Sequence, residues 1–187
     1  MTELPRPIAI DSLLGLPKER KLVAVVSCGR QKSQAADQAQ YLYTSSLFRN
    51  NLLLARELSA KQFIMSAHHG LLLPNQVIEP YDVALSNLPL EARIEWGERV
   101  AAQLIQRTEG RIIVSLAGMG YNRFIDPALH ACGRELISPF SGLGLGRRQA
   151  FAKRLTRIYR RFAAAKTCML PCDRLTATEI GCLFEHI

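Results

Sequence analysis

Short apolar runs alternate along the chain with longer segments whose apolar residues recur at helical spacing. Strands are predicted over residues 22–28, 62–67, 111–117 and 135–139. The first of these runs, LVAVVSC, is continuous and β-branched, which is typical of a central strand buried on both faces. Residues 68–87 show no clear periodicity and are predicted to form one long loop, of a length that is usually functional or mobile.

Helices are predicted over residues 44–60, 90–107, 122–131 and 148–165. Thr44 and Ser45 are the candidate N-caps of the first helix. The residues predicted to face inward are Leu47, Phe48, Leu52, Leu54, Ala55 and Leu58 in the first helix, Ile94, Val100, Ala101, Leu104 and Ile105 in the second, and Phe151, Leu155, Ile158, Tyr159 and Phe162 in the last.

Strands that alternate with helices indicate an α/β fold, in which a mostly parallel central sheet carries helices on both faces. The length of 187 residues suits a single domain. We place it at residues 21–166, between an N-terminal tail (1–20) and a small helical C-terminal appendage with cysteines and a histidine (167–187). Ligands of such sheets bind beyond the carboxyl ends of the strands, a rule that brings the turns at residues 27–29, 66–70 and 117–118 to one edge.

The composition favours a folded, soluble protein, with 48% hydrophobic and 21% charged residues. A cytoplasmic protein without membrane contact is expected, because no apolar run has the length of a membrane span and the first seven residues lack the order of a signal peptide.

The net charge is +8, and a cluster of cations without an acid matches this excess: Arg147, Arg148, Lys153, Arg154, Arg157, Arg160, Arg161 and Lys166. Such a cluster indicates a surface for phosphates, although a solvated helix face shows the same pattern.

The turn after the first predicted strand combines small residues with cations. Ser27, Cys28 and Gly29 precede Arg30 and Lys32. A glycine that lets backbone N–H groups approach, beside two cations, suits a phosphate or a carboxylate. The spacing is not that of a P-loop, and an ordinary tight turn with a buried cysteine is the alternative interpretation.

Candidate acid–base groups follow the second predicted strand. His68 and His69 are followed by Glu79 and Asp82; histidine titrates near neutral pH, and carboxylates activate water or stabilise a developing cation. A metal site is the competing hypothesis, but adjacent histidines point to different faces of a strand and rarely ligate together. Plain surface polarity is the third interpretation.

Glycines also precede the cationic helix. Gly142, Gly144 and Gly146 lead into Arg147 and Arg148. A helix that starts in this way presents N-terminal N–H groups that favour an anion, and the two guanidinium groups reinforce them. The spacing and position differ from those of the dinucleotide-binding fingerprint.

The C-terminal segment contains Cys168, Cys172, Cys182 and His186. Their spacing is similar to that of small zinc modules, so a structural zinc ion is predicted there. The segment between the two pairs is shorter than in common zinc fingers, and buried cysteines without a ligand are the alternative.

Five segments resemble, in order and spacing, the signature of an uncharacterised bacterial and phage domain family. They are VSCGRQK (26–32), LYTSSLF (42–48), MSAHHGLL (65–72), IEPYD (78–82) and GLGLGR (142–147). The resemblance covers about residues 22–155, and the family is distantly similar to the peroxide-stress protein YaaA. That similarity implies DNA binding and a role in limiting oxidative DNA damage.

The resemblance carries over positions from four of these five segments. They are Ser27, Cys28, Gly29, Lys32, Tyr43, Thr44, Ser45, Ser66, His69, Gly70, Glu79, Pro80, Tyr81 and Asp82. One departure is His68, where the family usually has lysine. A titrating ring replaces a fixed cation at this position, which puts a strict phosphate-clamp role for it in doubt.

Three functional hypotheses follow. The first is a nucleotide- or nucleic-acid-binding enzyme that cleaves an N-glycosidic bond. In this enzyme the phosphate is held by Lys32, Arg147 and the backbone of residues 27–29, and a base stacks on Tyr43 or Tyr81. The carboxylate of Asp82 or Glu79 activates water or stabilises an oxocarbenium ion. The second is a non-catalytic DNA-binding protein of the YaaA kind, whose phosphate contacts come from Arg148, Arg154, Arg157 and Arg161. The third is a Cys28 nucleophile assisted by His69.

Overall fold

The apolar run at residues 22–28 forms the central strand of the sheet in a computed structural model, which describes residues 22–168. The predicted tail at residues 1–20 and nearly all of the predicted appendage lie outside these residues. The elements are β1 (Leu22–Ser27), β2 (Asp37–Gln38), α1 (Ala39–Leu42), α2 (Ser46–Leu58), β3 (Lys61–Ser66), β4 (Gly70–Leu72), β5 (Val77–Ile78), a 3-10 helix (Leu85–Asn87), α3 (Leu90–Arg107), β6 (Ile112–Ser115), α4 (Met119–Ala131), β7 (Leu136–Ile137) and α5 (Leu145–Cys168).

The main sheet has the strand order β4-β3-β1-β6-β7. β1 is parallel to both of its neighbours, with Val25 opposite Phe63 of β3 and Ser115 of β6. β7 continues the parallel part, and only β4 runs antiparallel. A separate two-stranded antiparallel sheet joins β2 and β5. The predicted α/β fold with a mostly parallel sheet and helices on both faces is confirmed.

Both faces of β1 are buried because alternate side chains enter different cores. Val23 and Val25 pack with residues of α3 and α4, whereas Ala24 and Val26 pack with residues of α2 and α5. Gly97 allows α3 to lie directly on α4, since a Cβ at this position would collide with the backbone carbonyl oxygen of Phe124. This two-sided packing fixes the sheet from which the site loops extend.

The predicted strands and helices are present, with ends that shift by up to three residues, and α3 has the predicted bounds. The prediction of one featureless loop at residues 68–87 was wrong, because this segment contains β4, β5 and the 3-10 helix. Ile94 was also placed wrongly: it is 44% exposed, and Trp96, two residues later, is buried instead. Among the residues that the structure covers, no helix combines the length and the apolar character needed to span a membrane.

Candidate functional site

The carboxyl ends of β1, β3 and β6 meet at one edge of the sheet. The ladder continues past the strands there: the backbone N–H of Cys28 donates to the carbonyl of Met65 (2.9 Å), and that of Leu116 donates to the carbonyl of Val25 (2.8 Å). After β1 the chain passes to β3 on one side and later crosses to β6 on the other. Connections that diverge in this way leave a crevice between the two strand ends, here those of β1 and β6.

Three hydroxyl groups form a chain beside this crevice. The Oη of Tyr81 lies 2.8 Å from the Oη of Tyr43 and 2.8 Å from the Oγ of Ser66. The same Ser66 oxygen accepts the backbone N–H groups of His68 (3.2 Å) and His69 (2.9 Å). Tyr43 and Ser66 are fully buried. One hydrogen-bonded group therefore contains Ser66 and four other residues that were nominated from the sequence: Tyr43, His68, His69 and Tyr81.

Trp96 and Tyr121 support this chain from the other face of the sheet. The indole N–H of Trp96 donates to the backbone carbonyl of Ser66 (2.8 Å), and its ring meets that of Tyr121 edge-on at a centroid distance of 5.4 Å. The Oη of Tyr121 lies 3.2 Å from the Sγ of Cys28. Tyr121, rather than the predicted His69, is thus the hydrogen-bond partner of the thiol.

Burial determines how the phenols titrate. It raises the pKa of Tyr43 to about 12, and nearby Cys28 adds to this effect. Burial and Cys28 also raise the pKa of Tyr81 and that of Tyr121. The three phenols therefore remain protonated, and able to donate hydrogen bonds, at neutral pH.

Lys32 and the histidines surround Tyr81. The Nζ of Lys32 lies 4.2 Å from the centroid of the Tyr81 ring, a distance typical of a cation–π contact. The rings of His68 and His69 each lie 5.2 Å from the same ring. Desolvation lowers the pKa of His69, and His68 lowers it further, so the neutral form of His69 is favoured at neutral pH. Tyr81 thus has a cation and two exposed imidazoles around it.

The start of α2 closes the turn after β1. The Oγ of Ser45 accepts the backbone N–H of Phe48 (3.3 Å), which confirms the predicted N-cap. Gly29 lies so close that a Cβ there would be 2.8 Å from the same oxygen. The side chain of Gln149 in α5 donates to the Oγ of Ser46 (2.9 Å). The first turns of α2 and α5 are therefore neighbours at the crevice.

Arg148 points inward from the first turns of α5. Its Nη2 is 3.5 Å from the carbonyl oxygen of Leu116, just beyond the end of β6, and its guanidinium carbon lies 5.6 Å from the centroid of the Phe140 ring. A Cβ at Gly118 would collide with the guanidinium. The Nε of Arg148 is buried and has no hydrogen-bond partner within residues 22–168. Burial lowers the pKa of Arg148, although a guanidinium stays charged.

The sequence is similar to a known family over the part of the chain that forms this site. A protein-family model matches residues 23–154. The chain belongs to DUF6884, a family of unknown function. No curated protein matches the chain. The whole described site, from Cys28 to Arg148, lies within the DUF6884 region.

Other predicted site residues of this DUF6884 chain lie around the same edge. Lys32 pairs with Tyr43 in an isolated β-bridge, and the N–H of Thr44 donates to the carbonyl of Gln31. Gly70 has a φ of 74° in the turn into β4. The remaining ones are partly or fully exposed: Ser27 at the end of β1, Glu79 and Asp82 on either side of Pro80 and Tyr81, and Gly144, Gly146 and Arg147 at the start of α5.

The cationic helix does not present all of its charges to solvent. Lys153 and Arg157 are exposed, and Arg154 is half-buried. The Nε of Arg160 forms an ion pair with the Oε1 of Glu57 in α2 (2.8 Å). The side chain of Arg161 lies outside the described part of the chain, as do the side chain of Cys168 and the other candidate zinc ligands, Cys172, Cys182 and His186. Between residues 22 and 168, no group of three or more His, Cys, Asp or Glu side chains could hold a metal ion.

Sequence reasoning missed three site residues. Tyr121 follows the turn at residues 117–118, so the strand-end rule that selected that turn could have selected it. Trp96 lies on α3, far from any strand end in the sequence. Asn51 donates from its Nδ2 to the carbonyl of Leu116 (3.0 Å) and is buried in α2; no signal in the sequence identifies it.

Replacing Tyr43 by phenylalanine should change the pH dependence of folding. The unfolded phenol ionises near pH 10 and the folded one near pH 12, so the stability that this difference represents is present below pH 10 and lost as the pH rises through 12. Two pKa units correspond to about 3 kcal/mol. Urea unfolding at pH 8, 10 and 12 should show a smaller loss in the Tyr43→Phe variant than in the wild type. Part of the loss persists in the variant, because the pKa values of Tyr81 and Tyr121 are also raised.

The matched control is Tyr41→Phe, since the Tyr41 ring is 58% exposed. This variant should lose stability with pH as the wild type does. Parallel pH profiles for the wild type and Tyr43→Phe would contradict the expectation.

Proposed function

We propose that the protein binds a nucleotide, free or as a unit of nucleic acid, with a phosphate group in the crevice between β1 and β6. The observation that carries this proposal is the guanidinium of Arg148, which is held inward with its Nε buried and unpartnered within the described residues. An unpaired buried donor is costly. An anionic oxygen is a strong partner for guanidinium N–H groups and would remove that cost.

The helices around Arg148 support the choice of an anion. α2, α4 and α5 start at this edge of the sheet, where their N-terminal N–H groups carry partial positive charge. α4 starts after Gly118 without a side-chain cap. α5 starts after Gly144, whose carbonyl accepts the N–H of Arg148. A phosphate in the crevice would meet one guanidinium and uncapped backbone N–H groups.

The aromatic residues supply a place for the base. His68 is exposed, and its ring is tilted by 30° relative to the half-buried ring of Tyr81. Aromatic faces hold nucleobases by stacking whatever the sequence. Cys28 lies between the two regions, because its turn adjoins the crevice and its proximity raises the pKa of both Tyr43 and Tyr81.

The reaction we propose is hydrolysis of the N-glycosidic bond. A carboxylate, Asp82 or Glu79 beside Tyr81, takes a proton from water while the water oxygen bonds to the anomeric carbon. The carbon–nitrogen bond breaks, its electron pair leaves with the base, and the base takes up a proton from solvent. The products are the free base and the sugar with a new hydroxyl group.

Arg148→Gln should selectively weaken phosphate recognition. Nucleoside 5′-monophosphates should bind the wild type more tightly than the corresponding nucleosides, and the substitution should weaken monophosphate binding about tenfold to a hundredfold, since a hydrogen bond to a charged group is worth about 1.5–3 kcal/mol. Nucleoside affinity should not change. Isothermal titration calorimetry measures all four affinities.

Arg99→Gln is the control, because Arg99 is exposed on α3; it should bind as the wild type does. The crevice is not a phosphate site if monophosphates and nucleosides bind the wild type equally, or if Arg148→Gln binds them as the wild type does.

Asp82→Asn should strongly slow base release without abolishing binding. Loss of a positioned general base typically costs about 100- to 10,000-fold in rate, so release of free base, followed by chromatography, should fall by at least about 100-fold. Glu98→Gln, an exposed substitution on α3, should retain the wild-type rate. Full activity in Asp82→Asn would exclude Asp82 as the base, and no release by the wild type would exclude hydrolysis.

The second candidate is a non-catalytic DNA-binding function of the YaaA kind, through the surface of α5. Lys153 and Arg157 are exposed and four residues apart, so they share one face of the helix. Two cations on an exposed helix face are suited to the DNA backbone. Arg148 and Arg160 are occupied elsewhere, inside the crevice and in the ion pair with Glu57.

Replacing Lys153 and Arg157 together by glutamine should weaken DNA binding regardless of sequence. Each lost phosphate contact lowers the slope of log affinity against log salt by about 0.9, so the slope should fall by about 1.8. Fluorescence anisotropy with two unrelated duplexes at several salt concentrations measures both effects. The control is the double substitution of Arg99 and Arg107, both exposed on α3, and an unchanged slope in the α5 variant would exclude this surface.

A further inference from the structure

The three hydroxyl groups of Ser66, Tyr81 and Tyr43 contain one proton more than their mutual hydrogen bonds use. A serine oxygen has two lone pairs, and that of Ser66 accepts two backbone N–H groups. Ser66 must therefore donate its own proton, and its hydroxyl partner is Tyr81. The bond between Tyr81 and Tyr43 uses one of the two phenol protons. The other phenol proton has no acceptor among the described residues.

This count does not depend on which phenol donates to the other. Either assignment leaves one free O–H at a pair of oxygens that are 2.8 Å apart. Tyr43 is fully buried, and a buried donor without a partner is costly in a folded protein. The free donor therefore indicates a missing acceptor at this point.

The surroundings specify the kind of acceptor. The ammonium group of Lys32 lies 4.2 Å from the Tyr81 centroid and 6.0 Å from that of Tyr43. A protonated phenol and a cation both favour an oxygen that carries negative or partial negative charge. An amino group would place a donor against donors and leave the phenol unpaired.

We propose that Tyr43, Tyr81 and Lys32 form a specificity site that binds a carbonyl oxygen of the nucleobase and discriminates against an amino group. This inference rests on the proposed nucleotide binding and names the substrate class: nucleotides whose base presents a carbonyl oxygen, in preference to those that present an amino group at the same position. The phosphate is held at Arg148, and the base carbonyl is held by the phenol pair. A site that is built to pair a polar group of its ligand rejects analogues that lack this group.

The experiment compares inosine 5′-monophosphate with adenosine 5′-monophosphate, which differ at the base by a carbonyl oxygen against an amino group. Calorimetry with the wild-type protein should show inosine monophosphate binding at least about tenfold more tightly. Replacing Tyr43 and Tyr81 together by phenylalanine removes both phenol protons. The double variant should bind the two nucleotides equally, with the affinity for adenosine monophosphate unchanged.

Two further variants keep the result interpretable. Tyr41→Phe removes an exposed phenol and should retain the preference, which separates the effect from a general loss of tyrosine. Lys32→Gln leaves the phenols in place and should reduce the preference even if the double variant does not fold. Circular dichroism checks the fold of each variant.

Each outcome decides between the two proposals. Tight binding of both nucleotides with equal affinity would overturn the specificity site, because water would then satisfy the phenol, while nucleotide binding itself would stand. A preference that persists in a folded double variant would also overturn it. Absence of binding to either nucleotide would overturn the proposed function together with this inference.

Discussion

The position of the candidate site depends on the parallel pairing of β1 with β3 on one side and with β6 on the other. Backbone N–H and C=O groups in a buried sheet must be paired, and the ladder continues to Cys28 and Leu116, beyond the last strand residues. The turns that follow the three strands are therefore held in register with each other. Their side chains can meet only because the sheet fixes where each turn begins.

Trp96 contacts both parts of the candidate site, the hydroxyl chain at Ser66 and the start of α4 beside the crevice. Its indole N–H fixes the backbone at Ser66, at the base of the hydroxyl chain, while its ring packs on Tyr121 in the first turns of α4. The Oη of Tyr121 contacts Cys28, which adjoins the crevice. A single aromatic side chain thus contacts both Ser66 and the start of α4.

The sequence predicted the elements whose patterns are long enough to be read. The β1 run and α3 extend over enough residues to establish burial and helical spacing, and Ser45 has the chemistry of an N-cap wherever it occurs. β4 and β5, of three and two residues, contain too few positions to show alternation. β7, also of two residues, was predicted only as part of the longer segment at residues 135–139. Ile94 was misplaced because apolar residues on two adjoining faces of α3 fit a helical stripe, and only the packing of Trp96 selects one of them.

Within the site, residue type was more predictable than orientation. Ser66, Tyr43, Tyr81 and Lys32 were all nominated from the sequence, each of them by the family resemblance, and the fold brings them together. Arg148 was predicted both to reinforce an anion site at the start of α5 and to contact DNA from the helix surface, and its inward orientation was not predicted. Gly118, thirty positions earlier, leaves the space that lets its guanidinium lie against the end of β6. This space is formed by two segments that are far apart in the sequence, so no local sequence pattern predicts it.

The inward orientation of Arg148 also separates the two candidate functions physically. A guanidinium that lies over Leu116 and Phe140 cannot contact a DNA backbone on the outer face of α5, whereas Lys153 and Arg157 cannot reach the crevice from that face. The charges of α5 therefore divide into one inward cation, suited to a single bound phosphate, and exposed cations, suited to a polyanion. Because different residues serve each role, loss of one function would leave the residues of the other intact, and a protein that acts on a base within nucleic acid would need both.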